Sequence, residues 1–527
     1  MRAPDLERAV TLAEAALAEG VEHSLLLNLR AYRLELHGHL PEALVSLERA
    51  RAIDPTDTPT LNALGLCLAR LERTDEAIAA FEAAVAEDPN FAPAWFNLGW
   101  AAEAAGDLDK ARISLERAEA LTPGQPAPLG RLAQLAARRA DWTAARAQAA
   151  RALAIDPAQV DASLAMAAAD LAAKAPGLAE GRLRLLLARP ELAATDRALA
   201  YGLLGDVLDA SDRAREAFAA FGAANAVLRD AYADRYAAPG QETAADQLAW
   251  LTRHVQASPR RAVSTATTSG GAAGHVFLVG FPRSGTTLLE RALAAHPDLV
   301  SWDEQESLAD SVRDFLEDPS DLDVLENVSE ASLEPYRAAY WRRVAGARVD
   351  VRGKVALDKL PLNTMKLPLI ARLFPDAKII FALRDPRDVV LSCYRQRFQM
   401  NASMYELLTL EGAARFYDGV MQLGLICREK LPLAFHTHRY EDLVADFDGA
   451  SEAVCRFIGV PWSAEMREFA ATLGERASAT PSAPQVARGL YSEGVGQWRR
   501  FEDDLEPIMS TLAPWITLFG YAEGSLH

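Results

Sequence analysis

His275-Val-Phe-Leu-Val-Gly280 runs directly into Phe281-Pro-Arg-Ser-Gly-Thr-Thr287 and then Leu288-Leu-Glu-Arg-Ala-Leu-Ala-Ala295. The first segment is a short apolar run suited to a buried parallel strand, and the last reads as a helix. A glycine-containing loop joins them. This order aims backbone N–H groups and a helix N-terminus at anionic oxygens, phosphate above all. The expected fold around it is an α/β, P-loop-like domain, its mostly parallel sheet flanked by helices.

On the nucleotide-triphosphate pattern GxxxxGK[ST], Gly280 and Gly285 match and Thr287 fits the last position, but Thr286 replaces the lysine. The next convincing strand, Lys378-Ile-Ile-Phe-Ala-Leu383, ends in Arg384 where a triphosphatase needs an acid for magnesium. Both departures disfavour a nucleotide kinase and point to an anionic nucleotide handled without metal. In Arg384-Asp-Pro-Arg-Asp-Val-Val-Leu-Ser392, the serine follows the arginine by eight residues, in the next helix. Guanidinium and hydroxyl so placed can clasp a second phosphate, the guanidinium donating two parallel hydrogen bonds. For the loop by itself, the plain alternative is a structural turn before a helix.

Upstream, repetition governs the chain. Pro55, Pro89, Pro123 and Pro157 recur every 34 residues, as do Ala43, Ala77, Ala111 and Ala145. Leu27, Leu61, Trp95 and Leu129 keep the same period, and so do the small residues Ala31, Gly65, Gly99 and Ala133. Each unit reads as two amphipathic helices. Proline ends the second helix by forcing its predecessor out of the α region, and the small residues let paired helices approach. A single hairpin cannot bury its apolar face, so units stack into an α-solenoid. These columns resemble the tetratricopeptide repeat family over about residues 1–230, with a looser register after Pro157. The resemblance implies a surface for docking a peptide or protein; a packing or homodimer module is the alternative. Trp95, Phe96 and Trp100, at helical spacing, are expected in the core. The sequence therefore divides into a solenoid over 1–257, a small, polar, glycine-rich linker over 258–274, and the α/β domain over 275–527.

Composition narrows the function. The chain has 527 residues, 50% of them hydrophobic and 24% charged, in the ordinary globular range. Its formal charge of −18 argues against nucleic acid or an anionic membrane as partner, so any bound anion needs a local cationic cluster. Four scattered cysteines, Cys67, Cys393, Cys427 and Cys455, make neither a disulfide scaffold nor a zinc module. No apolar leader or membrane-length run is present, and a cytoplasmic protein is expected.

The loop and the Arg384–Ser392 element, about a hundred residues apart, together resemble the sulfotransferases that use 3′-phosphoadenosine-5′-phosphosulfate (PAPS). They are similar in particular to protein-tyrosine sulfotransferases and to bacterial fusions of tetratricopeptide repeats with a sulfotransferase domain. The resemblance spans roughly 275–520 and implies PAPS as donor, with no metal. It assigns Arg283, Ser284, Gly285, Thr286 and Thr287 to the 5′-phosphosulfate, and Arg384 and Ser392 to the 3′-phosphate. Glu304, 21 residues after Arg283, takes the place of the catalytic base, with Asp303 the alternative. Lys359, in Asp358-Lys-Leu-Pro361, falls on the lysine that stabilises sulfuryl oxygens, assisted by Arg283. Tyr440 would pack on the adenosine; Ser482 falls on a transition-state serine and Arg488 on a basic loop position. Gln396 and Gln497 stand where relatives carry basic residues, and Arg395, Arg397, Arg499 and Arg500 are candidates to compensate. The acceptor implied first is a protein or peptide tyrosine, then a carbohydrate hydroxyl; a non-catalytic nucleotide-binding scaffold is the reading from another class.

Overall fold

A computed structural model of the chain describes residues 3–71, 73–258, 270–346, 349–469 and 494–522. Ser482 and Arg488 lie outside the described residues, as does most of the expected linker. By compactness the chain divides into Met1–Leu186 and Leu187–His527.

In the first unit, helices pair as the period demands. First helices begin at Ser24, Thr58, Ala92, Pro126 and Val160, and second helices at Leu40, Thr74, Leu108, Trp142 and Pro176, 34 residues apart in each series. The helical period thus continues past Pro157, although the proline column ends there. Asp54, Asp88 and Asp156 cap their helices in extended conformation, as a residue before proline must. Ala43, Ala77, Ala111 and Ala145 are fully buried. The small-residue column marks close approach: a Cβ on Gly99 would stand 2.7 Å from Leu115 Cγ, nearer than packing permits. Trp95 and Phe96 pack partly buried against the solenoid cores. Trp100 does not; it is 40% exposed, because its position turns to the open side of the helix.

Among the described residues the second unit contains five parallel strands: β1 (Gly274–Gly280), β2 (Leu299–Asp303), β3 (Val355–Lys359), β4 (Lys378–Leu383) and β5 (Ala434–Arg439). Their spatial order is β2-β3-β1-β4-β5. β1 is central and its interior is buried, which explains the unbroken apolar run. Helices cover the sheet, and one core forms from Val276 and Leu278, the Leu288–Leu293 helix, Tyr440 and Leu443. All loops that follow the strands leave from one edge, where ligands of open α/β sheets bind.

Helices Ala194–Asp209, Ala214–Tyr236 and Ala244–Ala257 extend the repeat-like sequence but pack within the second unit. Asn225 donates to the Tyr394 carbonyl at 2.9 Å, the Ala245 amide to Glu406 at 3.1 Å, and Gln247 to the Leu316 carbonyl at 2.8 Å. Among the described residues, no helix is long and apolar enough to cross a membrane.

Candidate functional site

The loop after β1 is built by backbone that few side chains tolerate. Arg283 has φ 70° and Gly285, the residue heading helix Thr286–Ala294, has φ 85°. A Cβ on Gly285 would collide with the Tyr440 ring, so glycine is required twice over, by conformation and by space. Ser284, Thr286 and Thr287 are nearly buried here. The first amides of a helix have no acceptor within it, and with the macrodipole they favour an anion. Thr364 donates to the Gly280 carbonyl at 2.8 Å and fixes the end of β1 from the opposite side.

Arg384 leaves β4 beside this loop. One guanidinium nitrogen donates to the Arg283 carbonyl at 3.1 Å, another to the Gly494 carbonyl, and the group lies 4.9 Å over the Tyr440 ring. Its Nε is buried with no hydrogen-bond partner among the described residues, in a side chain only 8% exposed. Ser392, on helix Pro386–Arg395, accepts from Arg283 Nε at 2.9 Å. The two elements, distant in sequence, form one contiguous cationic cluster. An orphaned guanidinium N–H beside a helix N-terminus fits a phosphate-bearing ligand. Tyr440, 4% exposed, lies against Gly285 and beneath the Arg384 guanidinium.

The carboxylate and the lysine meet on the neighbouring strands. β2 and β3 pair Asp303 with Lys359, which carries Glu304 just past the strand end, and the Glu304 amide donates to the Lys359 carbonyl at 3.1 Å. Lys359 Nζ then donates to Glu304 Oε1 at 2.7 Å. The lysine is fully buried, whereas Glu304 is 35% exposed. Glu304 holds φ 30°, a left-handed backbone that costs a non-glycine residue about 1–3 kcal/mol and recurs where function dictates geometry. The Asp303 side chain lies outside the described residues. Glu306, the next acid, pairs with Lys366.

Asp358 points into a buried chain instead, accepting from Tyr340 Oη at 2.8 Å and Asn363 Nδ2 at 3.3 Å. Tyr340 in turn meets His275 Nε2 at 2.8 Å. Burial pushes the Asp358 carboxyl up to about 7, against the pull of the Tyr340 hydroxyl and Lys366, and burial lowers His275 to about 3. Cys393 lies near Arg283 and Arg384, yet burial raises its thiol to about 12, which removes it as a nucleophile at neutral pH.

Three of the four arginines expected to compensate for Gln396 and Gln497 are paired with carboxylates. Arg395 pairs with Asp209 at 2.7 Å, Arg397 with Asp206 at 2.9 Å, and Arg500 with Asp209 at 3.0 Å and Asp212 at 3.2 Å. Their carboxylate partners come from the helix Ala194–Asp209 and the turn after it, so these side chains fasten helices together. Arg499 lies 5.4 Å from the Trp498 ring centroid. The sequence reading also passed over Asp388, which is 1% exposed and accepts the amides of Gly496 at 2.7 Å and Trp498 at 2.9 Å. An acid one turn after Arg384 was the available signal. Among the described residues, no group of three or more His, Cys, Asp or Glu is arranged to hold a metal.

Comparison with known proteins agrees with this architecture. Residues 275–464 match the family model described as Sulfotransferase family, and residues 62–126 match Tetratricopeptide repeat. An uncharacterised protein of Aquifex aeolicus is 26% identical over 260 residues, 45% of this chain but 32% of its own length. The chain therefore spans about a third of that relative. Protein-tyrosine sulfotransferase 1 of Danio rerio is 23% identical over 263 residues, covering 47% of this chain and 72% of its own. A tetratricopeptide repeat protein from Parabacteroides merdae is similar in structure, with 16% identity and a TM-score of 0.34 over 40% of this chain and 87% of that one. The tetratricopeptide repeat match thus falls within the first unit, and the sulfotransferase-family match within the second.

Proposed function

We propose that the second unit transfers a sulfuryl group from PAPS to a hydroxyl acceptor, a protein or peptide tyrosine in the first instance. The observation that carries this reading is the meeting of Glu304 with buried Lys359 at the same sheet edge as the Arg283–Ser392–Arg384 cluster. In this reading Glu304 takes the acceptor's hydroxyl proton as the acceptor oxygen bonds to sulfur. The bond from sulfur to the 5′-phosphate oxygen breaks, and adenosine 3′,5′-bisphosphate leaves with that electron pair. Lys359 and Arg283 stabilise charge on the sulfuryl and bridging oxygens, where fixed cations contribute most in a low-dielectric site. Arg384 and Ser392 hold the 3′-phosphate, Ser284–Thr287 the 5′ end, and Tyr440 supports the nucleotide by anchoring Gly285 and Arg384. Ser482 and Arg488 enter as proposed contacts from the segment before Gly494.

The tyrosine acceptor is supported by the similarity to protein-tyrosine sulfotransferases, and by a repeat solenoid suited to docking a polypeptide. Activity measured with labelled PAPS against tyrosine peptides and glycans tests it; sulfation of glycans alone would reassign the acceptor. A nucleotide-binding scaffold without turnover is the second reading, favoured by Gln396 and Gln497 together with the committed pairing of Arg395, Arg397 and Arg500. It predicts bisphosphate binding and no product in any acceptor panel.

A further inference from the structure

We propose that Asp388 is a positioning residue for the anion site, setting Arg384 through the Gly494–Trp498 turn; this rests on the nucleotide reading above. Asp388 sits in the first turn of helix Pro386–Arg395, almost completely buried. Its two carboxylate oxygens divide the work: one accepts the Gly496 amide at 2.7 Å, the other the Trp498 amide at 2.9 Å. Gly496 has φ 74°, a left-handed turn that delivers both amides to one carboxylate. The Trp498 ring lies 3.8 Å beneath Arg387, which is itself held by Asp385 at 2.7 Å and by the Tyr521 carbonyl at 2.9 Å. The turn is therefore pinned by charge and by stacking, and it ends at the Gly494 carbonyl that receives Arg384.

Two carbonyls, from Arg283 and Gly494, together with the Tyr440 ring, fix the plane of the Arg384 guanidinium and leave Nε without a partner. Of these supports, the Gly494 carbonyl belongs to the turn that Asp388 caps, far along the chain from both the β1 loop and Tyr440. Asp388 holds that segment. Burial raises the Asp388 carboxyl, while Arg384 and the two amides draw it back. An asparagine at 388 keeps one acceptor and turns an NH₂ toward an N–H group, so one of the two bonds is lost and the turn shifts. A guanidinium with a displaced support presents its fork at the wrong angle, and bidentate recognition of phosphate depends on that angle.

The test is the ratio of affinities for adenosine 3′,5′-bisphosphate and adenosine 5′-monophosphate, titrated calorimetrically on the full chain. A ratio does not depend on the fraction of protein folded. Asp388→Asn should weaken the bisphosphate about tenfold or more, the size of one lost charge-assisted hydrogen bond, and leave the monophosphate within about twofold. Asp418→Ala, which removes the acceptor of the Trp515 indole N–H at 2.7 Å and touches no part of this turn's support described above, should lower thermal stability and keep the wild-type ratio. If Asp388→Asn does not fold, Asp388→Glu keeps the charge, moves it by one methylene, and should lower the same ratio. An unchanged ratio in either Asp388 variant reduces Asp388 to a structural tie and overturns the proposal. A wild-type protein that does not prefer the bisphosphate overturns the nucleotide reading itself, and this shows before any variant is made.

Discussion

Replacing Glu304 by glutamine separates the chemical role of this carboxylate from its structural one. Glutamine keeps an oxygen facing Lys359 Nζ, so the 2.7 Å hydrogen bond survives without its charge assistance. Charge-assisted bonds are about twice as strong as neutral ones, which sets the loss at about 1–1.5 kcal/mol. Because Glu304 is 35% exposed, water screens the pair and the true cost lies at the lower end. A domain stable by ~5–15 kcal/mol remains folded after such a loss. Removing a general base, by contrast, slows turnover by about 10²–10⁴, equivalent to about 3–5 kcal/mol of barrier. The chemical effect thus exceeds anything partial unfolding can supply. Initial rates with radiolabelled donor, measured beside calorimetric titration of the bisphosphate, should show lost turnover with retained binding. Turnover within about threefold of wild type would refute the assignment of Glu304 as base.

Gly285→Ala places a side chain at φ 85° against Tyr440 and should cost about 1–3 kcal/mol, with weaker bisphosphate binding, read by thermal shift and titration. Arg384→Lys removes both the fork and the stacking on Tyr440, and should weaken the bisphosphate by roughly tenfold while the fold persists. Asp358 carries a pH signature. Burial lifts its pKa in the folded chain to about 7 from the ordinary 3.8, so its stabilising contribution is full below about pH 4 and fades as pH rises to about 7. Asp358→Asn should flatten the denaturation midpoint over that window; an unchanged slope would remove Asp358 as its source. His275 has the opposite sign, since its pKa is lowered from 6.5 to about 3, and its contribution is lost as pH falls through that range.

Much was legible in the residues alone, because local physics wrote it there. Proline ends a helix by restricting the backbone of the residue before it, so the 34-residue period marks the hairpins of the first unit in the sequence itself. The apolar run before Gly280 and the strand ending at Leu383 announced two strands, which the sheet then pairs in parallel, and the arginine and serine after the second needed only helical spacing. Long-range electrostatics was invisible. Arg395 and Arg397 looked like spare cations because their aspartates lie some 190 residues earlier, beyond any local pattern. Asp388 looked like one more acid in a charged helix start.

The amino-acid order by itself determined which segments become helices and strands, and which loop can face an anion; these depend on side chains and backbone a few residues apart. Tertiary structure alone decided that Lys359 is fully buried and meets Glu304, that Arg283 meets Ser392, and that the helices from Ala194 onward are fastened to the α/β part. The reason is that burial and charge pairing depend on which strands lie side by side, and strand order follows from packing the whole sheet.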